Sequence, residues 1–366
     1  MDLIVFFLSF VVILMGCEFF TNGVEWVGKR FKLSEGAVGS VLAAVGTALP
    51  ETVVPLIAIL FIGGDAGHEI GVGAILGAPF MLATLALFVC GLSVFLFMKR
   101  RGTKTLHING QLIRRDLKFF LLAYGLAAVA AVVPPQFDLF KVILGFTLIP
   151  LYIVYTIYTL RTGAASCGEG EELKSLYIDG IIRKCTGKSG EPVECPVIAD
   201  GDGKSIMMPR REPPTVLIIL QVLVSLGLII LGANMFVEQI KGIAEVLGIN
   251  PMILALIIAP IATELPEKFN SLLWIRARKD TFAIGNITGA MVFQSCIPVT
   301  IGIVLTGWHL DVSTQTGFLQ AAAIGIALLS GLILYKESSH KEIKMSGLMI
   351  GGLLYVLYII LVLFNI

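Results

Sequence analysis

Ten long apolar runs constrain the fold of this chain more than any other feature. A transmembrane helix needs about 20 consecutive apolar residues, and lipid requires every backbone polar group to be satisfied within helices or closed barrels. Runs this long and continuous favour helices. The approximate bounds of the runs are 3–28, 34–62, 69–98, 116–133, 138–161, 215–244, 250–275, 281–306, 313–335 and 346–364. The sequence therefore predicts an all-α membrane protein of about ten transmembrane helices.

Composition excludes several other classes of protein. Only 14% of the residues are charged, whereas a water-soluble domain carries about 25%. The 27 Lys and Arg nearly balance the 26 Asp and Glu, and this near-neutral total argues against nucleic acid as a partner, because phosphate binding needs a basic face and the totals indicate none. The four His residues fall in connections or at the ends of runs, without the His-Glu-x-x-His spacing of a zinc hydrolase. We therefore expect a lipid-embedded protein that is not an enzyme and has no resident cofactor.

Basic residues predict the orientation in the membrane, because Lys and Arg concentrate in short cytoplasmic connections. With the N-terminus outside, the connections on the cytoplasmic side contain Lys29, Arg30, Lys32, Lys99, Arg100, Arg101, Lys104, Arg114, Arg115, Arg276, Arg278, Lys279, Lys336, Lys341 and Lys344. The opposite side has almost none. The first run lacks a basic leader and a clear cleavage site, so we interpret it as a retained helix. The sequence predicts an integral protein of the plasma (inner) membrane with both termini outside.

A polar segment at 162–213 separates five apolar runs from the other five. It contains charges of both signs with Gly and Pro throughout. We interpret residues 1–161 as a first transmembrane repeat, 162–213 as a cytoplasmic hydrophilic loop, and 214–366 as a second transmembrane repeat.

The two halves share an internal repeat. A shift of 216 positions aligns Gly16 with Gly232, and 47–51 (Thr-Ala-Leu-Pro-Glu) with 263–267 (Thr-Glu-Leu-Pro-Glu). A shift of 212 then aligns the glycine-framed segments 73–77 and 285–289. Because five runs separate equivalent segments, the copies cross the membrane in opposite directions. This pattern predicts the inverted-topology repeat of a secondary transporter.

The shared segment carries the chemistry of a cation site. Glu51 and Glu267 lie deep within their runs, where a carboxylate is costly unless it meets a cation or a partner. Each follows a proline, which removes a helical hydrogen bond and frees the carbonyl four residues earlier. Carboxylate, carbonyl, hydroxyl and amide oxygens suit hard cations such as calcium or sodium. The predicted ligands are Glu51, Glu267, Thr47, Thr263, Glu264, Gly46, Ala262 and Asn286.

Two of these candidates have alternative interpretations. Lys268 stands four residues after Glu264 and can pair with it across one helical turn. If the pair forms, two carboxylates remain, which is enough charge for one divalent ion; otherwise Glu264 can carry a proton or bind sodium. Asn286 lies in a glycine-framed segment that equally suits helix packing.

The repeated segments resemble a known signature. Residues 46–51 (Gly-Thr-Ala-Leu-Pro-Glu) and 262–267 (Ala-Thr-Glu-Leu-Pro-Glu) are similar to the Gly-Thr-Ser-Leu-Pro-Glu motif of the sodium/calcium exchanger membrane proteins of the cation/calcium antiporter superfamily. The resemblance extends over the ten-span layout, hence most of the chain. It implies that the Thr and Glu of each copy ligate the exchanged cations. It also implies that the first helix of each half slides past a gated site.

The chain also departs from this family pattern. Ala48 and Glu264 replace the Ser of the first motif. The family's second motif, Gly-Asn-x-x-Gly-Ser-Asn, loses its last two polar residues to Ala78-Pro79 and Ala290-Met291. We therefore expect a divergent antiporter that exchanges Ca2+ against Na+ by alternating access. The alternatives are Ca2+/H+ or other cation/H+ antiport, and a transport-inactive membrane sensor of the same fold.

Overall fold

The computed structural model describes residues 3–30, 49–161, 175–185, 198–199, 205–206, 213–339 and 341–365. Most of these residues are helical, as lipid requires of apolar segments. The helices are α1 (Leu3–Arg30), α2 (Leu49–Ile57), α3 (Gly64–Leu96), α4 (Met98–Arg101), α5 (Gly110–Val132), α6 (Asp138–Arg161), α7 (Tyr177–Cys185), α8 (Thr215–Leu247), α9 (Pro251–Thr263), α10 (Leu265–Arg276), α11 (Asp280–Thr306), α12 (Gln315–Glu337) and α13 (Met345–Phe364). A π-helical segment, Ala58–Ile62, continues α2, and another, Leu82–Ala86, interrupts α3.

Seven helices within the described ranges are long and apolar enough to cross a membrane. They are α1, α3, α6, α8, α11, α12 and α13. Two shorter apolar helical segments, Glu51–Ile62 and Pro251–Ile261, accompany them. Helix α5 has sufficient length but carries four charged residues near its start. The helical membrane class expected from the sequence is confirmed, and the described part of every predicted run is mainly helical.

Helices α1 and α8 pack closely through one glycine from each. A Cβ atom added to Gly16 would lie 2.8 Å from Cγ1 and 3.0 Å from the backbone nitrogen of Ile229. One added to Gly232 would lie at the same two distances from the corresponding atoms of Ile13. Gly232 and Ile229 are the residues 216 positions after Gly16 and Ile13, so the two contacts are equivalent in the repeat. From one contact to the other, residue numbers rise on one helix and fall on the other. The two helices are therefore antiparallel and meet at small residues that allow close approach.

The buried apolar residues form two main clusters. One joins α1 and α8 to parts of α2, α3 and α9, and includes Ile13, Val54, Ile229 and Phe236. The larger one joins α3, α5, α11, α12 and α13. The α1–α8 pair thus packs through the smaller cluster against parts of α2, α3 and α9.

Four short strands were not anticipated from the sequence. They are β1 (Thr105–His107), β2 (Ile198–Ala199), β3 (Ser205–Ile206) and β4 (Glu342–Lys344), and they form the antiparallel pairs β1–β4 and β2–β3. The first pair joins the connection after α4 to the connection before α13. It links segments about 240 residues apart through backbone hydrogen bonds.

A buried ion pair lies next to β1. Arg101 donates from its two terminal nitrogens to the two carboxylate oxygens of Asp280, at 2.8 and 2.6 Å. The backbone N–H of His107 donates to the same carboxylate at 2.9 Å, and Arg101 also donates to the carbonyl of Ile275. Such bidentate, charge-assisted bonds are strong and geometrically specific. They hold the ends of α4 and α10 and the start of α11 together.

Part of the polar insert contacts the α1–α8 pair. The Tyr177 hydroxyl donates to Glu18 of α1 at 2.6 Å, and its backbone N–H donates to Asn22 at 3.2 Å. The N–H of Ile178 donates to Gln221 of α8 at 2.8 Å. The start of helix α7 therefore contacts both α1 and α8.

Candidate cation site

The helical run from 251 to 276 is interrupted at its centre. Helix α9 ends at Thr263, α10 begins at Leu265, and Glu264 between them has φ −91° and ψ 9°. Pro266 lies in the first turn of α10, where its missing N–H is tolerated, and it cannot donate to the carbonyl of Ala262. The interruption expected from the prolines is present. It leaves the Ala262 carbonyl without its helical donor where α9 meets α10, and transporters use such interrupted helices to hold ions.

Three glutamates gather at this interruption. The exposed fractions of Glu51, Glu264 and Glu267 are 4%, 1% and 3%. The Glu51 carboxylate interacts electrostatically with both of the others, so residues of the first and second repeat lie near one another although 216 positions separate Glu51 from Glu267. Neither carboxylate oxygen of Glu51 has a hydrogen-bond partner among the described residues. A buried carboxylate in this state is costly without a cation or a proton.

Lys268 completes the charged group. It is 7% exposed, and its ammonium donates to Glu264 Oε2 at 3.0 Å and to the carbonyl of Pro260 at 3.4 Å. The pairing that the sequence left open is therefore formed. Glu264 keeps its second oxygen, Oε1, buried and without a hydrogen-bond partner in the described part of the chain.

The other predicted ligands divide into two groups. The Thr263 hydroxyl donates to the carbonyl of Ala259 at 3.1 Å, one turn back on its own helix. The amide of Asn286 donates to the backbone carbonyl of Glu267 at 3.4 Å, so α11 borders the site as expected. Gly46 and Thr47 lie outside the described residues. Their role as ligands stays a prediction.

Cys17 of α1 is a neighbour of the site that the sequence did not single out. Its side chain is buried and interacts electrostatically with Glu51 and Glu267. The adjacent Gly16 makes the close contact with α8. Helix α1 therefore forms a wall of the site. No motif around Cys17 distinguishes it from the apolar residues of this run.

Asp116 is a further buried acid that the sequence did not identify. It accepts from the guanidinium of Arg115 at 2.9 Å and from the hydroxyl of Thr288 at 2.9 Å. Thr288 belongs to the glycine-framed segment after Asn286, so this network fixes that part of α11 to α5. A charged residue beside two arginines at the start of a run resembles a solvated helix end, which is why the pattern gave no signal.

The paired glycine-framed segments behave differently in the two halves. A Cβ atom added to Gly73 or Gly77 would collide with carbonyl oxygens of α9. A Cβ atom added to Gly285 would lie 3.5 Å from Leu112, and one added to Gly289 would lie 3.6 Å from the Tyr155 hydroxyl, both ordinary contacts. The packing interpretation therefore holds for the first pair, where α3 approaches α9 closely, and not for the second.

The arrangement provides oxygen atoms and negative charge rather than a ready-made metal centre. Across the ranges that the structure describes, no group of three or more His, Cys, Asp or Glu side chains is placed to hold a metal ion. A cation at this interruption would take carboxylate oxygens together with carbonyl, hydroxyl and amide oxygens. Hard cations accept such mixed oxygen sets.

Comparison with known families agrees with this geometry. The model of the sodium/calcium exchanger protein family matches residues 1–161 and 217–366, which is most of the chain. The chain belongs to the sodium/calcium exchanger family. The match spans both sets of transmembrane helices and leaves out the polar insert. This family moves cations across membranes.

Individual relatives and solved structures are similar to nearly the whole chain at low identity. The uncharacterized membrane protein MJ0091 of Methanocaldococcus jannaschii is 22% identical, over 97% of this chain and 95% of its own length. The crystal structure of the H+/Ca2+ exchanger CAX is similar with a TM-score of 0.68 at 16% identity, covering 99% of this chain and 81% of that one. The sodium-calcium exchanger NCX_Mj is similar with a TM-score of 0.54 at 19% identity, covering 97% and 96%. These structural likenesses establish the exchanger fold.

Proposed function

We propose that this exchanger-family protein is a secondary active antiporter that exchanges Ca2+ by alternating access at the site formed by Glu51 and Glu267. The observation that carries the proposal is the meeting of buried carboxylates from α2 and α10 at an interrupted helix. Carboxylates there are too costly to serve packing, and Glu51 has no hydrogen-bond partner in the described part of the chain. A divalent cation is the simplest group that balances two of them.

The proposed ligand set combines both halves of the chain. Glu51 and Glu267 supply charge, Thr263 and Asn286 lie beside them, and the interrupted backbone at Ala262 supplies a carbonyl. We further propose that Gly46, Thr47 and Glu264 complete the set. Ca2+ takes six to eight oxygen ligands at about 2.3–2.6 Å in flexible geometry, which suits a site assembled from several helices.

We propose ten transmembrane helices in two inverted repeats, with both termini outside the plasma (inner) membrane and the 162–213 loop in the cytoplasm. The matched contacts of Gly16 and Gly232 support this topology, because they follow the same shift of 216 that aligns the two Glu-containing motifs. Seven of the proposed ten helices are described as single helices long and apolar enough to cross a membrane. Two others do not meet these criteria because the run 250–275 is interrupted and the start of α5 is charged.

The α1–α8 pair is the proposed moving part. It packs against the other helices through the smaller apolar cluster, its two helices approach closely at Gly16 and Gly232, and Cys17 places α1 beside the site. Translation of this pair relative to the larger helical body would open the carboxylates first to one side and then to the other. Secondary transporters commonly work by such relative movement of two bodies.

Sodium is the coupling ion that the sequence predicts, and the proton is the second candidate. The Glu264–Lys268 pair is compatible with both ions, because it leaves a negative charge that either one Ca2+ or two monovalent cations can balance. Two carboxylates close together in a dry site also take up protons readily. The same site serves either exchange.

The test is transport by purified protein in liposomes. Vesicles with an outward sodium or proton gradient are expected to accumulate 45Ca2+, and Glu51→Gln or Glu267→Gln is expected to abolish accumulation. Glu238→Gln provides a matched control, since Glu238 is an exposed acid of α8 and its replacement is expected to leave accumulation unchanged. Binding of Ca2+ without accumulation under any gradient would support the transport-inactive sensor instead.

A further inference from the structure

Lys268 has a placement unlike that of the other buried basic side chains. The described ranges contain three such residues, Arg101, Lys141 and Lys268. The first pairs with Asp280 near the ends of helices, and Lys141 pairs with exposed Asp138 at the start of α6. Lys268 alone among the three lies within the group of glutamates.

The partners of the Lys268 ammonium are those of a bound monovalent cation. A carboxylate oxygen of Glu264 lies at 3.0 Å and the carbonyl oxygen of Pro260 at 3.4 Å. Glu264 lies between α9 and α10, and Pro260 lies one turn earlier in the last part of α9, where its carbonyl also accepts the backbone N–H of Glu264 at 3.1 Å. Carbonyls of interrupted helices and carboxylates are the groups with which transporters coordinate sodium, and the lysine ammonium is a compact point charge.

We propose that Lys268 is a specificity-determining residue whose ammonium acts as a tethered monovalent cation. It fills the position between Glu264 and the Pro260 carbonyl, so that no sodium ion binds there. The proposal rests on the proposed cation site at Glu51 and Glu267, which it deepens by assigning the neighbouring cation position to the protein itself.

The Lys268 ammonium changes the number of cations that neutralise the site. Three carboxylates and one ammonium leave a formal charge of −2 in the group, which one divalent cation or two monovalent cations neutralise. Without the ammonium the same carboxylates leave −3, and one further monovalent cation is needed. Lys268 therefore determines how many external cations are needed to neutralise the three carboxylates.

Sodium binding tests the proposal without requiring transport. Purified protein is titrated with 22Na+ in a scintillation proximity assay, for the wild type, Lys268→Met, Lys268→Gln and the double variant Glu264→Gln/Lys268→Met. Removal of the ammonium is expected to add one bound sodium per chain in both single variants. The double variant removes the pair together and is expected to bind no more sodium than the wild type. Lys268→Arg keeps a positive charge and is expected to show no gain.

Two results would overturn the proposal. The first is an equal number of bound sodium ions in the wild type and in both single variants. The second is persistence of the extra sodium in the double variant, which would place that ion away from Glu264. A merely structural ion pair predicts the first result, with the double variant restoring thermal stability. These readings do not use Ca2+, so failure of the proposed calcium exchange is detected separately by the Glu51→Gln flux assay.

Discussion

A membrane potential of about 100 mV tests the charge balance of the site. With Lys268 paired to Glu264, one Ca2+ or two monovalent cations neutralise the group, so one exchange cycle moves no net charge. Each net charge crossing the membrane at this potential would change the driving free energy by about 2.3 kcal/mol. Since about 1.4 kcal/mol corresponds to a factor of ten, the accumulation ratio would change about 50-fold. We predict that it does not change.

Proteoliposomes with a potassium gradient, with and without valinomycin, provide the measurement. Steady-state 45Ca2+ accumulation is compared at zero potential and at about 100 mV of either sign, while the opposing sodium or proton gradient is held constant. Equal accumulation in the three conditions agrees with an electroneutral exchange. A change of about 50-fold that reverses with the sign of the potential would show that a third monovalent charge is exchanged, and would refute the charge count.

Four further predictions concern stability and docking. Gly77→Ala is expected to lower the thermal unfolding temperature in detergent because its Cβ collides with an α9 carbonyl, whereas Gly289→Ala is the tolerated control; equal effects would contradict the packing difference. Asp280→Asn is expected to destabilise the protein by about 3–5 kcal/mol, since it leaves a buried guanidinium without its counter-charge. Replacing Arg101 by Met in the same chain is expected to recover part of this loss, and additive losses in a double-mutant cycle would contradict the pairing. Tyr177→Phe is expected to speed proteolysis of the insert, because α7 loses a 2.6 Å hydrogen bond to α1; an unchanged cleavage rate would show that the contact does not hold α7.

The sequence predicted the features that depend on local pattern or on the repeat. The length of the apolar runs predicted the helices, and Pro266 predicted the interruption between α9 and α10. The shared motif indicated that Glu51 and Glu267 meet, because an inverted repeat places equivalent segments around one centre. These inferences need only periodicity, hydrogen-bond geometry and symmetry.

Features that depend on tertiary partners could not be predicted in the same way. Arg101 looked like one of many solvated loop arginines, and only the fold brings it to Asp280, 179 positions away. Asp116 likewise finds Thr288 across 172 positions. For Lys268 the spacing allowed pairing with Glu264, but an interrupted helix need not keep the geometry of one regular turn. The choice between pairing and ion binding therefore required the positions of α9 and α10.

Calcium flux through the reconstituted protein tests the central claim most directly. Wild-type vesicles loaded with sodium or acid are expected to accumulate 45Ca2+ when diluted into a medium that lacks the gradient ion, and Glu51→Gln and Glu267→Gln vesicles are expected to remain at the level of empty liposomes. Accumulation that persists in both variants would contradict the assignment of these carboxylates as the exchanged-cation site.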